Sequence, residues 1–336
     1  MIFPNRVRSG KFVGTTAVSM NCSDNRDCLR LEKAYKTFEK FGFGAIETEN
    51  VRGENTIVSS SGKTRAEQFT ELWKNKDVDW IIATAGGELL MEMLPYLELD
   101  EENAKWVQGF SDVSLLLYYI TTKWQIATLN GANIKAFGME PLHESLVKNL
   151  EIVRNAENSK QKSFDKFEGM RFESENPYEP YHLTEDVCYK ALYPEKETSV
   201  AGRIIGGCFD VLGVLFGTSF DYTKQFCKNF PEGMLWYIDN CEMNLAEFRR
   251  RIWQAGYNGW FENANGFLIG RTPVSKEYEG YGYEEMLHDC FDFYGVPVFY
   301  DVDIGHVAPQ WTMINGAMGE FQFLKGKGEL TQKMVE

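Results

Sequence analysis

Trp106-Val107-Gln108-Gly109-Phe110-Ser111-Asp112-Val113-Ser114-Leu115-Leu116-Leu117-Tyr118-Tyr119 decides how the chain is read. A short apolar run meets Gly109 and Ser111 and then becomes a helical pattern. A strand that turns sharply into a helix can hold a side chain up in a strained bend beside free backbone N–H groups, a geometry that suits a nucleophile. Ser111 is the candidate. Val113 stands where the second glycine of a G-x-S-x-G elbow would be, so the match is incomplete. The competing reading makes Ser111 a helix N-cap and Gly109 its turn.

The flanking sequence supplies strands and helices in alternation. Upstream, residues 12–19 read as a buried strand, 29–41 as an amphipathic helix, 45–48 as a strand, 63–75 as a helix and 80–84 as a strand ending in Ala85-Gly86-Gly87. A helix is expected from Glu88 to Met93. Downstream, residues 113–121 form the helix behind the elbow and 126–129 the next strand. This spacing implies an α/β fold, an open and mostly parallel sheet covered on both faces. Ligands of such sheets gather at the carboxyl ends of strands, so Gly86-Gly87 and Gly109-Phe110-Ser111 can face one crevice. Gly86-Gly87 also reads as a plain turn.

With 336 residues the chain has room for about two cores. Residues 1–155 are expected to form an N-terminal α/β domain carrying the nucleophile. Residues 156–199 are expected to be an irregular connector, rich in proline, charge and rings such as Phe164, Phe167, Phe172, Tyr178 and Tyr181. From 200 to 330, strands at 200–205, 234–238, 266–269 and 298–300 alternate with helices at 245–255 and 283–293, a second, C-terminal α/β domain with the active site in the cleft between the two.

Lys and Arg total 35 against 49 for Asp and Glu, a net charge of −14 that argues against nucleic-acid polymers and anionic membranes as partners. The first twenty residues hold Arg6, Arg8 and Lys11 without a sustained apolar run, and no stretch is apolar enough for a membrane helix, so a cytoplasmic protein is expected. Seven scattered cysteines without a C-x-x-C pair fit reduced thiols. The four histidines form no H-E-x-x-H or tight Cys/His group, so no metal and no cofactor is expected.

A serine alcohol needs a base, and the base needs an acid behind it. His306 is the histidine set in loop chemistry, in Asp303-Ile304-Gly305-His306-Val307-Ala308-Pro309 after a strand. The acid should end a buried strand; Asp239, closing Leu235-Trp236-Tyr237-Ile238-Asp239, meets this, with Glu242 as its rival. Cys208 follows a strand but has no basic neighbour in sequence beyond Arg203, and reads as a small core residue.

Together these stretches resemble the serine peptidase family that contains LD-carboxypeptidases and microcin C immunity proteins. The landmarks keep their order: Ala85-Gly86-Gly87, Gly109-Phe110-Ser111-Asp112, Gly202-Arg203-Ile204-Ile205-Gly206-Gly207, Tyr237-Ile238-Asp239, and Gly305-His306 before a proline. The resemblance implies Ser111 as nucleophile, His306 as base, and the N–H groups of Gly87 and Asp112 as an oxyanion hole. Asp239 stands where the family usually has glutamate, and Cys208 where it has asparagine after Gly-Gly. Asn130-Gly131-Ala132-Asn133 replaces an aromatic-Gly-Pro or His-Gly-Pro loop, making Asn130 and Asn133, with Glu242, candidate substrate contacts. The implied function is cleavage of an amide near the carboxyl end of a small peptide, with hydrolysis of an aminoacyl or peptidyl nucleotide as the alternative; there Tyr178 and Tyr181 could stack on a base. Family members are often homodimers, and a homodimer is compatible with this sequence. Other classes of reading are an α/β-hydrolase esterase, which the missing HGGG-type loop disfavours, and a two-domain protein that binds a peptide without cutting it.

Overall fold

In a computed structural model that describes residues 1–53, 57–155, 158–170, 174–195 and 198–335, the alternation expected from sequence becomes two large sheets, beside two small two-stranded ones. Phe172 lies outside the described residues. The first sheet has six strands. Gly44–Glu47, Phe12–Thr16, Val78–Ala83, Trp106–Gly109 and Thr128–Asn130 run parallel in that spatial order. Val78–Ala83 is almost wholly buried, as a strand covered on both faces must be. The helix Asn25–Lys40 lies over this sheet; Asp24 caps it by accepting the Asp27 N–H at 2.7 Å.

The second sheet has eight strands. Its centre is parallel, formed by Ser199–Cys208, Met234–Asp239, Ala264–Gly270 and Val298–Val302, and antiparallel strands extend both edges. The helix Leu245–Tyr257 flanks it, opened by a reciprocal cap between Asn244 and Glu247.

Three departures from the sequence reading matter. The stretch expected to be an irregular connector supplies edge strands to the second sheet, Asn158–Lys162 beside Lys327–Lys333 and Lys190–Ala191 beside Val298–Val302. Met313–Asn315, far along the C-terminal half, returns to pair antiparallel with Thr128–Asn130 of the first sheet. The helix expected over 88–93 is instead a 3₁₀ segment, Leu90–Tyr96, with Pro95 inside it.

The helix Val113–Trp124 joins the two halves. From Val113 to Thr122 every residue is buried. A helix apolar on all sides must be covered on all sides, and this one is sandwiched between the first sheet and the strand Ser199–Cys208 of the second. Tyr118 Oη meets Thr223 Oγ1 at 2.8 Å across that boundary and stacks on Trp260. One hydrophobic core runs through both halves, joining Val78, Ile81 and Leu116 to Ile205, Trp236 and Ile269. Elements so joined resist separation, since parting them would expose apolar surface at roughly 25 cal/mol per Å². Among the described residues, no helix is long and apolar enough to cross a membrane.

Candidate active site

Ser111 sits between the strand Trp106–Gly109 and the helix Val113–Trp124 with φ of +65°. A left-handed conformation at a non-glycine residue carries strain and persists only where surrounding structure enforces it. The enforcement is visible. Asn133 Oδ1 accepts the N–H of Phe110 at 3.2 Å, and Gly131 N–H donates to the Gly109 carbonyl at 2.9 Å. Asn130, 2% exposed, accepts the Ser114 hydroxyl at 2.9 Å. The sequence offers Asn130 and Asn133 as substrate contacts; both are buried, and their carboxamide oxygens hold the elbow.

The loop after Val78–Ala83 closes on the same spot. A Cβ on Gly86 would fall 2.7 Å from both Cβ and Oγ of Ser111 and 3.5 Å from the Asp112 nitrogen, so only glycine lets the two loops approach. The Asp112 side chain fastens them, accepting the Ser19 hydroxyl at 2.5 Å and the Leu90 N–H at 3.0 Å. Burial pushes its carboxyl pKa up, against these hydrogen bonds and the charge of Arg65. Among the described residues, the N–H groups of Gly87 and Asp112 have no protein acceptor.

From the other half come His306 and Asp239. Asp239 ends the strand Met234–Asp239, 2% exposed, and its Oδ2 lies 2.6 Å from His306 Nδ1; its Oδ1 accepts the His306 backbone N–H at 3.3 Å. Gly305, with φ of +89°, makes room, because a Cβ there would fall 1.8 Å from Asp239 Oδ1. Burial works to lower the pKa of His306, yet the charge and hydrogen bond of Asp239, aided by the Cys241 thiol, raise it well above the usual imidazole value. His306 Nε2 is buried and, among the described residues, without a hydrogen-bond partner. The His306 ring packs on Phe110, the residue before Ser111, with centroids 5.1 Å apart. The loop of His306 is fixed further back by Asp303, which accepts from Arg271 Nη2 at 2.7 Å, Tyr189 Oη at 2.5 Å and the Phe164 N–H at 2.9 Å.

Between Asp239 and Glu242 the geometry chooses Asp239 as the partner of His306. Glu242 is exposed, and its N–H donates to Asp210 Oδ1 at 2.8 Å. Asp210 escapes the sequence reading. It also accepts the N–H groups of Cys241 and Met243, at 2.9 and 3.2 Å, and so shapes the turn that follows Asp239. Its signal is only its place just after Gly206-Gly207-Cys208, which no local pattern distinguishes from an ordinary first-turn acid. Cys208 is 2% exposed, and burial pushes its thiol pKa well up, which suits a core residue better than a nucleophile.

A cavity of about 800 Å³ opens beside the elbow, lined by Glu88, Asp112, Asp210 and Glu242 with Arg250 and Arg251. Burial, then the charges of Glu242, Asp112 and Asp210, raise the Glu88 pKa. The two tyrosines considered for base stacking are engaged elsewhere, Tyr181 edge-on to His143 with centroids 5.2 Å apart and Tyr178 beside Lys33. His143 caps the helix Glu144–Arg154 by accepting the Ser145 N–H.

Comparison with known proteins bears on the family and the fold. The chain is 25% identical over 321 residues to the microcin C7 self-immunity protein MccF of Escherichia coli, covering 91% of this chain and 89% of that one. It is 23% identical over 313 residues to a putative carboxypeptidase of Treponema pallidum, covering 90% and 87%. The solved structure of MccF in complex with aspartyl sulfamoyl adenosine superposes with a TM-score of 0.82 at 21% identity, covering 100% of this chain and 99% of the other. Residues 13–131 match the LD-carboxypeptidase N-terminal domain and residues 201–321 the LD-carboxypeptidase C-terminal domain. The chain therefore belongs to the LD-carboxypeptidase family, with the two-domain α/β fold its sequence implied.

Proposed function

We propose that this protein is a serine hydrolase that cleaves an amide near the carboxyl end of a small peptide-like substrate. The observation that carries the reading is the Asp239–His306 pair at 2.6 Å, whose remaining ring nitrogen is uncommitted while its ring rests on the residue preceding Ser111. In this reading Ser111 Oγ attacks the carbonyl carbon as His306 Nε2 takes its proton. The negative charge that develops on the carbonyl oxygen falls to the N–H groups of Gly87 and Asp112, already fixed by the Ser19–Asp112–Leu90 bonds. His306 then gives its proton to the leaving amine, and water repeats the sequence on the acyl-enzyme. Asp239 holds Nδ1 protonated throughout, which leaves Nε2 free to act as the base.

The acidic wall of the adjoining cavity suits a substrate that carries an amine near the scissile bond, with Arg250 and Arg251 available to a carboxylate. A second reading, hydrolysis of an aminoacyl or peptidyl nucleotide, is favoured by the full-length likeness to MccF, solved with aspartyl sulfamoyl adenosine.

A fluorophosphonate probe tests the class. The native protein is expected to label at Ser111, and Ser111→Ala to abolish labelling; a native protein that stays unlabelled overturns the assignment and leaves a peptide-binding protein as the better account. Turnover of a murein tetrapeptide ending in D-alanine against an aminoacyl sulfamoyl-adenosine then separates the two substrates.

A further inference from the structure

Cys208 and Asp239 are the last residues of neighbouring parallel strands and stand in register. Side chains paired this way leave the sheet on the same face. The fold adds His306 to them from a loop far along the chain. As a result the Cys208 Sγ, a carboxylate oxygen of Asp239 and a ring nitrogen of His306 all lie within 4.8 Å of one another. Cys208 and Asp239 are each 2% exposed, and the His306 side chain 15%, so the group is enclosed and only the imidazole side chain is partly open. Cys241 borders both His306 and Cys208, a second sulfur on the rim.

One thiol, one imidazole and one carboxylate make a donor set for a borderline-soft divalent cation. Hard cations such as Mg²⁺ or Ca²⁺ call for oxygen ligands throughout and fit poorly. Zinc bond lengths place tetrahedral ligand atoms roughly 3.3 to 3.8 Å apart. Donors as far as 4.8 Å apart need to close by roughly 1.0 to 1.5 Å to reach that spacing.

We propose that Cys208, Asp239 and His306 form a binding site for one zinc ion, and that the bound ion reversibly inhibits the enzyme by occupying the imidazole. On binding, the Cys208 sulfur, an imidazole nitrogen and an Asp239 oxygen each form a bond to the metal. The thiol proton leaves to solvent; where Nδ1 is the ligand its proton passes to Nε2, so that the imidazole binds neutral, and a charged imidazole gives up one proton to solvent. The hydrogen bond from the Cys208 thiol to Asp210 is lost, as is the imidazole–carboxylate hydrogen bond wherever Nδ1 is the ligand, and no electron is transferred. Metal binding stands apart from the catalytic reading; the inhibition rests on it, because it requires His306 to be the base.

The test uses the full-length protein stripped of metal. Titration with Co²⁺ is expected to produce a thiolate-to-metal charge-transfer band that saturates at one ion per chain and is abolished by equimolar Zn²⁺. Cys208→Ala is expected to lose the band and to bind zinc roughly 100-fold or more weakly, since removing a ligand costs at least as much as removing an outer-shell partner. Zinc is expected to block fluorophosphonate labelling in the parent protein, with recovery on chelation, and to leave labelling of Cys208→Ala unaffected. Absence of the band together with substoichiometric zinc in the parent protein overturns the site without recourse to any variant. A band that survives in folded Cys208→Ala overturns the donor set. Stoichiometric metal with unimpaired labelling overturns the inhibition alone. A protein that never labels overturns the hydrolase reading, while the cobalt titration still decides the metal site.

Discussion

His306 Nδ1 lies 2.6 Å from Asp239 Oδ2, and the same carboxylate reaches the His306 backbone N–H, so one acid fixes both the ring and the loop that carries it. The separation of these two residues along the chain is 67 positions. Their pairing gives the sharpest expectations about pH.

The raised pKa means that folded His306 keeps its proton to higher pH than the unfolded chain does. The pair therefore stabilises the fold fully below the unfolded imidazole value of about 6.5, and the contribution fades as pH rises through the folded value. Asp239→Asn is expected to lower Tm more near pH ~6 than near pH ~9. In the proposed mechanism His306 must be neutral to accept a proton, so kcat/KM is expected to rise with pH through an apparent pKa above 6.5. Asp239→Asn should move that pKa down and reduce kcat by about 10⁴-fold, the scale seen when a triad acid is lost. Glu242→Gln, whose carboxylate does not touch His306, should change KM rather than kcat; the opposite pattern transfers the acid's role to Glu242.

Gly86→Ala probes the approach of the two loops. The new methyl would lie 2.7 Å from Ser111 Oγ, so the serine must shift. A displacement of about 1 Å at reacting groups costs roughly 100-fold in rate. The expected result is that loss in kcat/KM with circular dichroism unchanged.

Asp210 accepts three successive N–H groups in the turn that follows Asp239. Asp210→Ala leaves them without their anionic acceptor, and a loss of about 2 kcal/mol in urea unfolding is expected, the scale of a hydrogen bond to a charged group. Asp210→Asn keeps one acceptor oxygen and should lose less.

Asp303 pairs with Arg271 at 2.7 Å, and both side chains are almost fully buried. Asp303→Ala leaves an uncompensated guanidinium and frees Tyr189 and Phe164 from the loop. A destabilisation of about 3–5 kcal/mol is expected on chemical denaturation.

Much of this architecture is legible in the amino-acid sequence. Alternating apolar runs and glycine breaks mark the parallel strands of both halves, because that periodicity follows from covering a sheet on two faces. Ser111 stands out because a glycine, a serine and a helix start fall within a few residues. The partnering of side chains is what stays hidden. Asn130 and Asn133 look like substrate contacts because loop asparagines carry no mark of whether they face solvent or backbone; here they brace the elbow. Asp210 looks like any acid in a first helical turn. The edge strands within 158–191 are missed because edge pairing tolerates polar, short segments that local pattern does not separate from loop.

The sequence by itself determined the central strands and helices of both halves, the elbow at Ser111 and the family, which rest on short local patterns kept in order along the chain. Only the tertiary structure decided that Asp239 rather than Glu242 meets His306, that one core binds the halves through the helix Val113–Trp124, and that Cys208 joins the same cluster. The physical reason is that these depend on the register between parallel strands and on how two sheets pack. A local run of residues fixes which face of a strand is apolar, but not which distant strand or loop will lie beside it.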